Sequence, residues 1–166
     1  MNKKILLGAT FAVVFAFTMM ANPVFAVSKA FQIDSADGFT MNTVGNIGTA
    51  TEGHAIIVYA FVTDAVTEDG NVVVYVAAVH PSFNDDDEQT PGNKQIHAHQ
   101  VGLNPDSLCV EEINGNPSLE KSKKSVTITD TEDENVVAHA IIGYDVTEDG
   151  ICPTEVYALQ PVEIEE

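Results

Sequence analysis

The chain has 166 residues, of which 25 are acidic and seven are basic, so its formal net charge is −18 at pH 7. A chain this acidic repels the phosphates of nucleic acids and the head groups of anionic membranes, so we exclude both as binding partners. Hydrophobic residues make up 45% of the sequence, which is enough to form one buried core.

The N-terminus, residues 1–26, has the pattern of a secretory signal peptide. Lys3 and Lys4 precede an uncharged apolar run, and a proline break then leads to a small-residue cleavage site that ends at Ala26. The apolar run is close to the shortest that spans a bilayer, so an uncleaved anchor is the alternative. We predict cleavage after Ala26, a single mature domain of residues 27–166, no stable membrane span thereafter, and an extracellular or cell-surface location.

The mature chain is predicted to be all-β. Residues 54–63 and 72–79 are rich in β-branched and aromatic side chains and flank an Asp-Gly turn, which is the pattern of a β-hairpin. Both faces of residues 72–79 are apolar, so this strand should be central and covered on both sides. Further short strands are expected around His97 and His99, at 108–113 and at 125–129, and a short helical turn is expected at 118–123. Many short strands separated by turns predict an antiparallel β-sandwich, Ig-like or jelly-roll-like.

The hairpin pattern occurs twice in the chain. Residues 139–144 repeat residues 54–59, and the segment Val-Thr-Glu-Asp-Gly at 146–150 repeats the one at 66–70. Two similar hairpins suggest two similar positions in the sandwich, one in each sheet. His54 and His139 are equivalent in this repeat, and both are expected to be hydrogen-bonded histidines at the start of a strand.

Three further histidines predict a metal site. His97 and His99 are two residues apart, so in a strand their side chains lie on the same face. His80 ends the preceding apolar run and should complete a set of three imidazole ligands, which suits zinc or copper. His139, Asp85 and Asp87 are candidate additional ligands. The acidic run at 84–88 could instead bind calcium, although it lacks the spacing of an EF-hand loop, and a solvated acidic loop is the simpler interpretation.

Two cysteines, Cys109 and Cys152, predict one disulfide in an exported chain. The alternative is that both thiols serve as metal ligands. They are far apart in the sequence and form no Cys-x-x-Cys motif, so the disulfide is favoured.

The sequence contains no Gly-x-Ser-x-Gly, His-Glu-x-x-His, P-loop or dinucleotide-binding motif, so a metal-dependent hydrolase or redox enzyme ranks below a binding protein among the hypotheses. The alternative to metal binding is a structural protein of an extracellular surface or matrix, which associates with itself or with cell-surface components and has incidental histidines. The stretch from His97 to Leu103, the following Cys109, the signal and the acidic body together resemble a group of small exported proteins of ammonia-oxidising archaea. That resemblance implies an extracellular location and no particular activity.

Overall fold

The computed structural model describes residues 28–48, 51–80 and 96–163, and these form an all-β fold, as predicted. One 3-10 turn, Lys29–Phe31, precedes the strands. The strands in chain order are β1 Ile33–Asp37, β2 Thr40–Thr43, β3 Ile56–Val66, β4 Val72–Val79, β5 His97–Leu103, β6 Val110–Gly115, β7 Ser118–Lys121, β8 Ser125–Thr129, β9 Val136–Thr147 and β10 Gly150–Pro161. No helix in the described part of the chain has the length and apolarity needed to cross a membrane.

The strands form two antiparallel sheets that pack against each other, so the predicted β-sandwich is confirmed. One sheet has four strands in the order β1-β2-β8-β7, and the other has six in the order β10-β9-β3-β4-β5-β6. The core between them contains large side chains of the six-stranded sheet, such as Tyr59, Phe61 and Tyr75, which pack with Met41 and Ile128 of the smaller sheet. Burying these apolar and aromatic groups is the main force that holds the two layers together.

Strand β7 corrects the expected helical turn at 118–123. Ser118–Lys121 pairs with β8 in a regular antiparallel ladder in which Leu119 lies opposite Ile128. Leu119 is the apolar residue of this short strand and packs against the core between the sheets, while its neighbours are exposed. With only one inward-facing apolar residue, a four-residue segment does not show the alternation of apolar and polar residues by which a strand is recognised.

The six-stranded sheet is buried on both faces. Every residue of β4 is buried, and β4 lies between β3 and β5, which confirms the prediction of a central strand covered on both sides. One face packs on the smaller sheet, while the other carries a second aliphatic cluster that includes Val58, Val74 and Ile142. This second face is covered because the sheet curls until its two edge strands approach each other. The Tyr144 hydroxyl donates across the enclosed space to the Leu108 carbonyl, at 3.2 Å.

The two repeated hairpins lie in the same sheet, which corrects the expectation of one in each sheet. They are β3–β4 and β9–β10, and they meet through an antiparallel pairing of β3 with β9. Their turns are alike, since Gly70 and Gly150 both have positive φ, at 85° and 108°. Equivalent residues nevertheless point to opposite faces: Ile56 belongs to the inner aliphatic cluster, and its counterpart Ile141 belongs to the core between the sheets.

Candidate metal centre

The pairing of β4 with β5 brings three histidines to one face of the sheet. His97 lies opposite Ala78 and His99 lies opposite Val76 in the antiparallel register. His80 is two residues beyond Ala78, so its side chain lies on the same face as those of His97 and His99. His80 immediately follows β4, and His97 and His99 are the first and third residues of β5, so the site sits at the rim of the sheet.

The three imidazole rings are close enough to bind one ion. One ring nitrogen from each of His80, His97 and His99 lies within 4.8 Å of the others. The Nε2 atoms of His80 and His97 are 2.8 Å apart, so one of them donates its proton to the other. Nitrogens bound to one tetrahedral zinc ion are about 3.4 Å apart, as follows from the usual Zn–N bond length. The Nε2 atoms of His80 and His97 are closer than this value, so these two rings would have to move apart slightly to bind one ion.

Asn116 orients one of the three ligands. Gln100 pairs with Gly115 where β5 meets β6, and continuing this register places Asn116 beside His99. The Nδ1 atom of His99 is 2.9 Å from Oδ1 of Asn116. An amide oxygen can only accept, so Nδ1 carries the proton and Nε2 keeps its lone pair for a metal. A hydrogen bond of this kind on the far ring nitrogen is typical of metal-ligating histidines.

The chemistry of the cluster favours a transition metal. Neutral imidazole is a good ligand for zinc and copper, whereas calcium and magnesium prefer carboxylate, carbonyl and water oxygens. Among the described residues, the cluster consists of the three histidines without a carboxylate. His80 and His99 are buried and His97 is half-buried, so a bound ion would be shielded from most of the solvent.

His139, a further predicted ligand, is not brought to this cluster. His139 pairs with Phe61, which faces the core between the sheets, so His139 lies on the opposite face of the six-stranded sheet. Its Nε2 donates to the Gly38 carbonyl at 2.8 Å, and burial lowers the pKa of the ring. Asp85 and Asp87, together with the rest of the acidic run, lie outside the described residues.

The predicted disulfide between Cys109 and Cys152 is confirmed. Cys109 immediately precedes β6 and Cys152 lies in β10, which are the two edge strands of the six-stranded sheet. The Cα atoms of the two cysteines are 4.1 Å apart. The bridge therefore links the two edges of the curled sheet and helps to enclose its inner face.

A second polar cluster surrounds His54. The sequence predicted that His54 is hydrogen-bonded, but it did not predict its partners. The Nδ1 atom of His54 is 2.8 Å from the Asp145 carboxylate, and its Nε2 lies 3.1 Å from Glu155 and 2.8 Å from the Tyr157 hydroxyl. Thr154 also donates to Asp145. The cluster thus ties the segment just before β3 to β9 and β10. Its members come from three separated segments, and no spacing in the sequence indicates that they meet.

The charges in this cluster shift two pKa values. Burial lowers the pKa of His54, but the hydrogen bonds and charges of Asp145 and Glu155 outweigh burial and raise it above its usual 6.5. The hydrogen bonds from His54 and Thr154 lower the pKa of Asp145 from 3.8 to about 2. The ring packs against Gly143, where an added Cβ would lie only 2.6 Å from the imidazole.

Comparisons with protein-family models, with curated proteins and with solved structures found no match to this chain.

Proposed function

We propose that this protein is an exported acidic β-sandwich that binds a zinc or copper ion through His80, His97 and His99. The observation that carries this proposal is the convergence of three imidazole nitrogens within 4.8 Å. The hydrogen bond that holds His99 in the ligating tautomer supports it further. The three rings would hold the ion, and the ion would supply a Lewis-acidic or redox-active centre, depending on which metal is bound.

Export is part of the same proposal. A disulfide between two buried cysteines is typical of proteins that fold in an oxidising compartment. The signal pattern of residues 1–26 and the resemblance to exported archaeal proteins point to the same location. In such a compartment the strongly negative net charge favours solubility and attracts cations to the surface.

Metal titration of the untagged protein tests the proposal. We expect one zinc or Cu(I) ion per chain, measured by calorimetry and by competition with a chromophoric chelator, in the presence of excess calcium to suppress weak binding by surface carboxylates. Replacing His97→Gln should weaken binding at least about tenfold, because an ion that loses one of three ligands loses much of its affinity. His54→Gln is the matched control, because His54 lies in a different cluster.

Two outcomes would contradict metal binding. One is the absence of stoichiometric metal in the folded native protein. The other is equal affinity of the native protein, His97→Gln and His54→Gln, which would assign the bound ion to carboxylates elsewhere. Either result would favour the alternative of a structural surface protein, for which concentration-dependent assembly in light scattering is the expected behaviour.

A further inference from the structure

The curled six-stranded sheet encloses an apolar cavity of about 70 Å³. All six strands contribute to its lining, which consists of aliphatic side chains, the ring of Tyr144 and two histidines. The two histidines are His80 and His99, which also belong to the three-histidine cluster. The cavity and the candidate metal centre therefore share a wall, and this follows from their position on the same face of the sheet.

The size and polarity of this cavity restrict what it can hold. A single water molecule needs a space of about 10 to 15 Å³, so this cavity has room for at least one small molecule. Pockets for drug-sized ligands are about 300 to 1,000 Å³, so larger organic molecules are excluded. A charged molecule would lose its hydration against aliphatic walls such as those of Val58, Val74 and Ile142, whereas a small neutral molecule loses little.

We propose that a metal ion held by His80, His97 and His99 presents one coordination position to this cavity and there takes a small uncharged molecule. The inference rests on the proposed function, because the cavity has chemical significance only if the three histidines hold an ion. Metal centres built on three histidines commonly keep a further position for a small ligand. In this protein the cavity lies directly against two of the three rings, so a ligand would reach the open coordination position from an apolar space that holds little water.

The experiment uses carbon monoxide on the Cu(I)-loaded protein and xenon on the metal-free protein. Carbon monoxide is a neutral diatomic whose stretching band in the infrared reports its binding to copper, and xenon reports the cavity without any metal. Three variants are compared with the native chain. Ala60→Val narrows the cavity from β3, two strands away from His99, and Ile142→Val enlarges it from β9. Ala77→Val is the matched control, a buried alanine on β4 that faces the core between the sheets.

We expect Ala60→Val to weaken carbon monoxide binding about tenfold or more, because side chains added to a filled space crowd its occupant. Ile142→Val should bind carbon monoxide at least as tightly as the native protein, and Ala77→Val should leave its affinity unchanged. Xenon should give a saturable shift in ¹²⁹Xe NMR with the native metal-free chain and a weaker one with Ala60→Val. Affinity for Cu(I) should be equal in all four proteins.

The outcomes separate the two proposals. If Cu(I) and zinc do not bind the native chain, the proposed function fails. If Cu(I) binds but carbon monoxide affinity is the same in Ala60→Val and Ala77→Val, metal binding stands and the cavity inference is overturned. An absence of xenon binding to the native metal-free chain also overturns it. If Ala60→Val does not fold, Ile142→Val decides: weaker xenon or carbon monoxide binding than in the native protein refutes the inference.

Discussion

Removing the disulfide between Cys109 and Cys152 should greatly lower the free energy of unfolding. The bridge joins residues 43 positions apart, and the chain-entropy model gives about 4 kcal/mol at 25 °C for a loop of this length. Small domains are stable by only about 5 to 15 kcal/mol, so this loss would be a large part of the total. We therefore expect the double variant Cys109→Ala, Cys152→Ala to fold at 25 °C with a much lower urea midpoint.

Urea unfolding, followed by far-UV circular dichroism, measures the difference in the free energy of unfolding. Cys109→Ala alone should lose nearly as much stability as the double variant, because either change removes the whole cross-link. Single variants that lose little stability while the double variant loses about 4 kcal/mol would refute this explanation. It would also be refuted by a loss below about 1 kcal/mol in all variants, since the edges of the curled sheet would then be held together without the bridge.

Three further predictions concern the two histidine clusters. Asn116→Ala should weaken metal binding about 10- to 100-fold in the chelator competition, and the neighbouring Asn114→Ala should not, because Asn114 binds Glu112 instead. Because the pKa of His54 is raised in the folded state, its stabilising contribution is complete below pH 6.5 and is lost as the pH rises through the folded-state pKa. The pKa of Asp145 is lowered, so its stabilising contribution is present above pH 3.8 and is lost as the pH falls towards about 2. The difference in urea midpoint between native protein and His54→Gln should therefore be larger at pH 5 than at pH 9, and an equal difference would contradict the ionic role. Gly143→Ala should lower the melting temperature and abolish the pH dependence of stability that His54 provides, because the added Cβ displaces the His54 ring. An unchanged pH dependence would show that the His54 ring accommodates the added Cβ.

Local patterns in the sequence were enough to predict the central parts of the fold. The apolar run of β4 indicates burial on both faces, and the Asp-Gly turn before it indicates the β3–β4 hairpin, both of which the structure confirms. The same-face spacing of His97 and His99 is likewise a property of any strand. His80 could be added because its strand was expected to be a neighbour of β5, and the β4–β5 pairing confirms this.

Features that depend on long-range register could not be predicted in this way. Asn116 reaches His99 only through the β5–β6 ladder, whose register shifts at two irregular positions. The repeat of residues 54–59 at 139–144 does not reveal which face each copy presents. In the β3–β9 ladder Ile56 lies opposite Tyr144, which is three residues beyond its counterpart Ile141, and side chains alternate in direction along a strand, so equivalent residues face opposite ways. The different surroundings of His54 and His139 follow from that difference, although their sequence contexts are nearly the same.

The position of the candidate metal centre follows from the burial of both faces of the six-stranded sheet. The inner face is aliphatic, and an imidazole placed at its middle would lose its hydration without gaining a hydrogen-bond partner. At the rim, polar side chains beyond the strand ends can supply such partners, as the Asn116 amide does for His99. Two of the three rim histidines, His80 and His99, also border the space that the sheet encloses. The polar centre and the apolar cavity are therefore two consequences of one arrangement, in which His80 just after β4 and His99 near the start of β5 lie on the inner face.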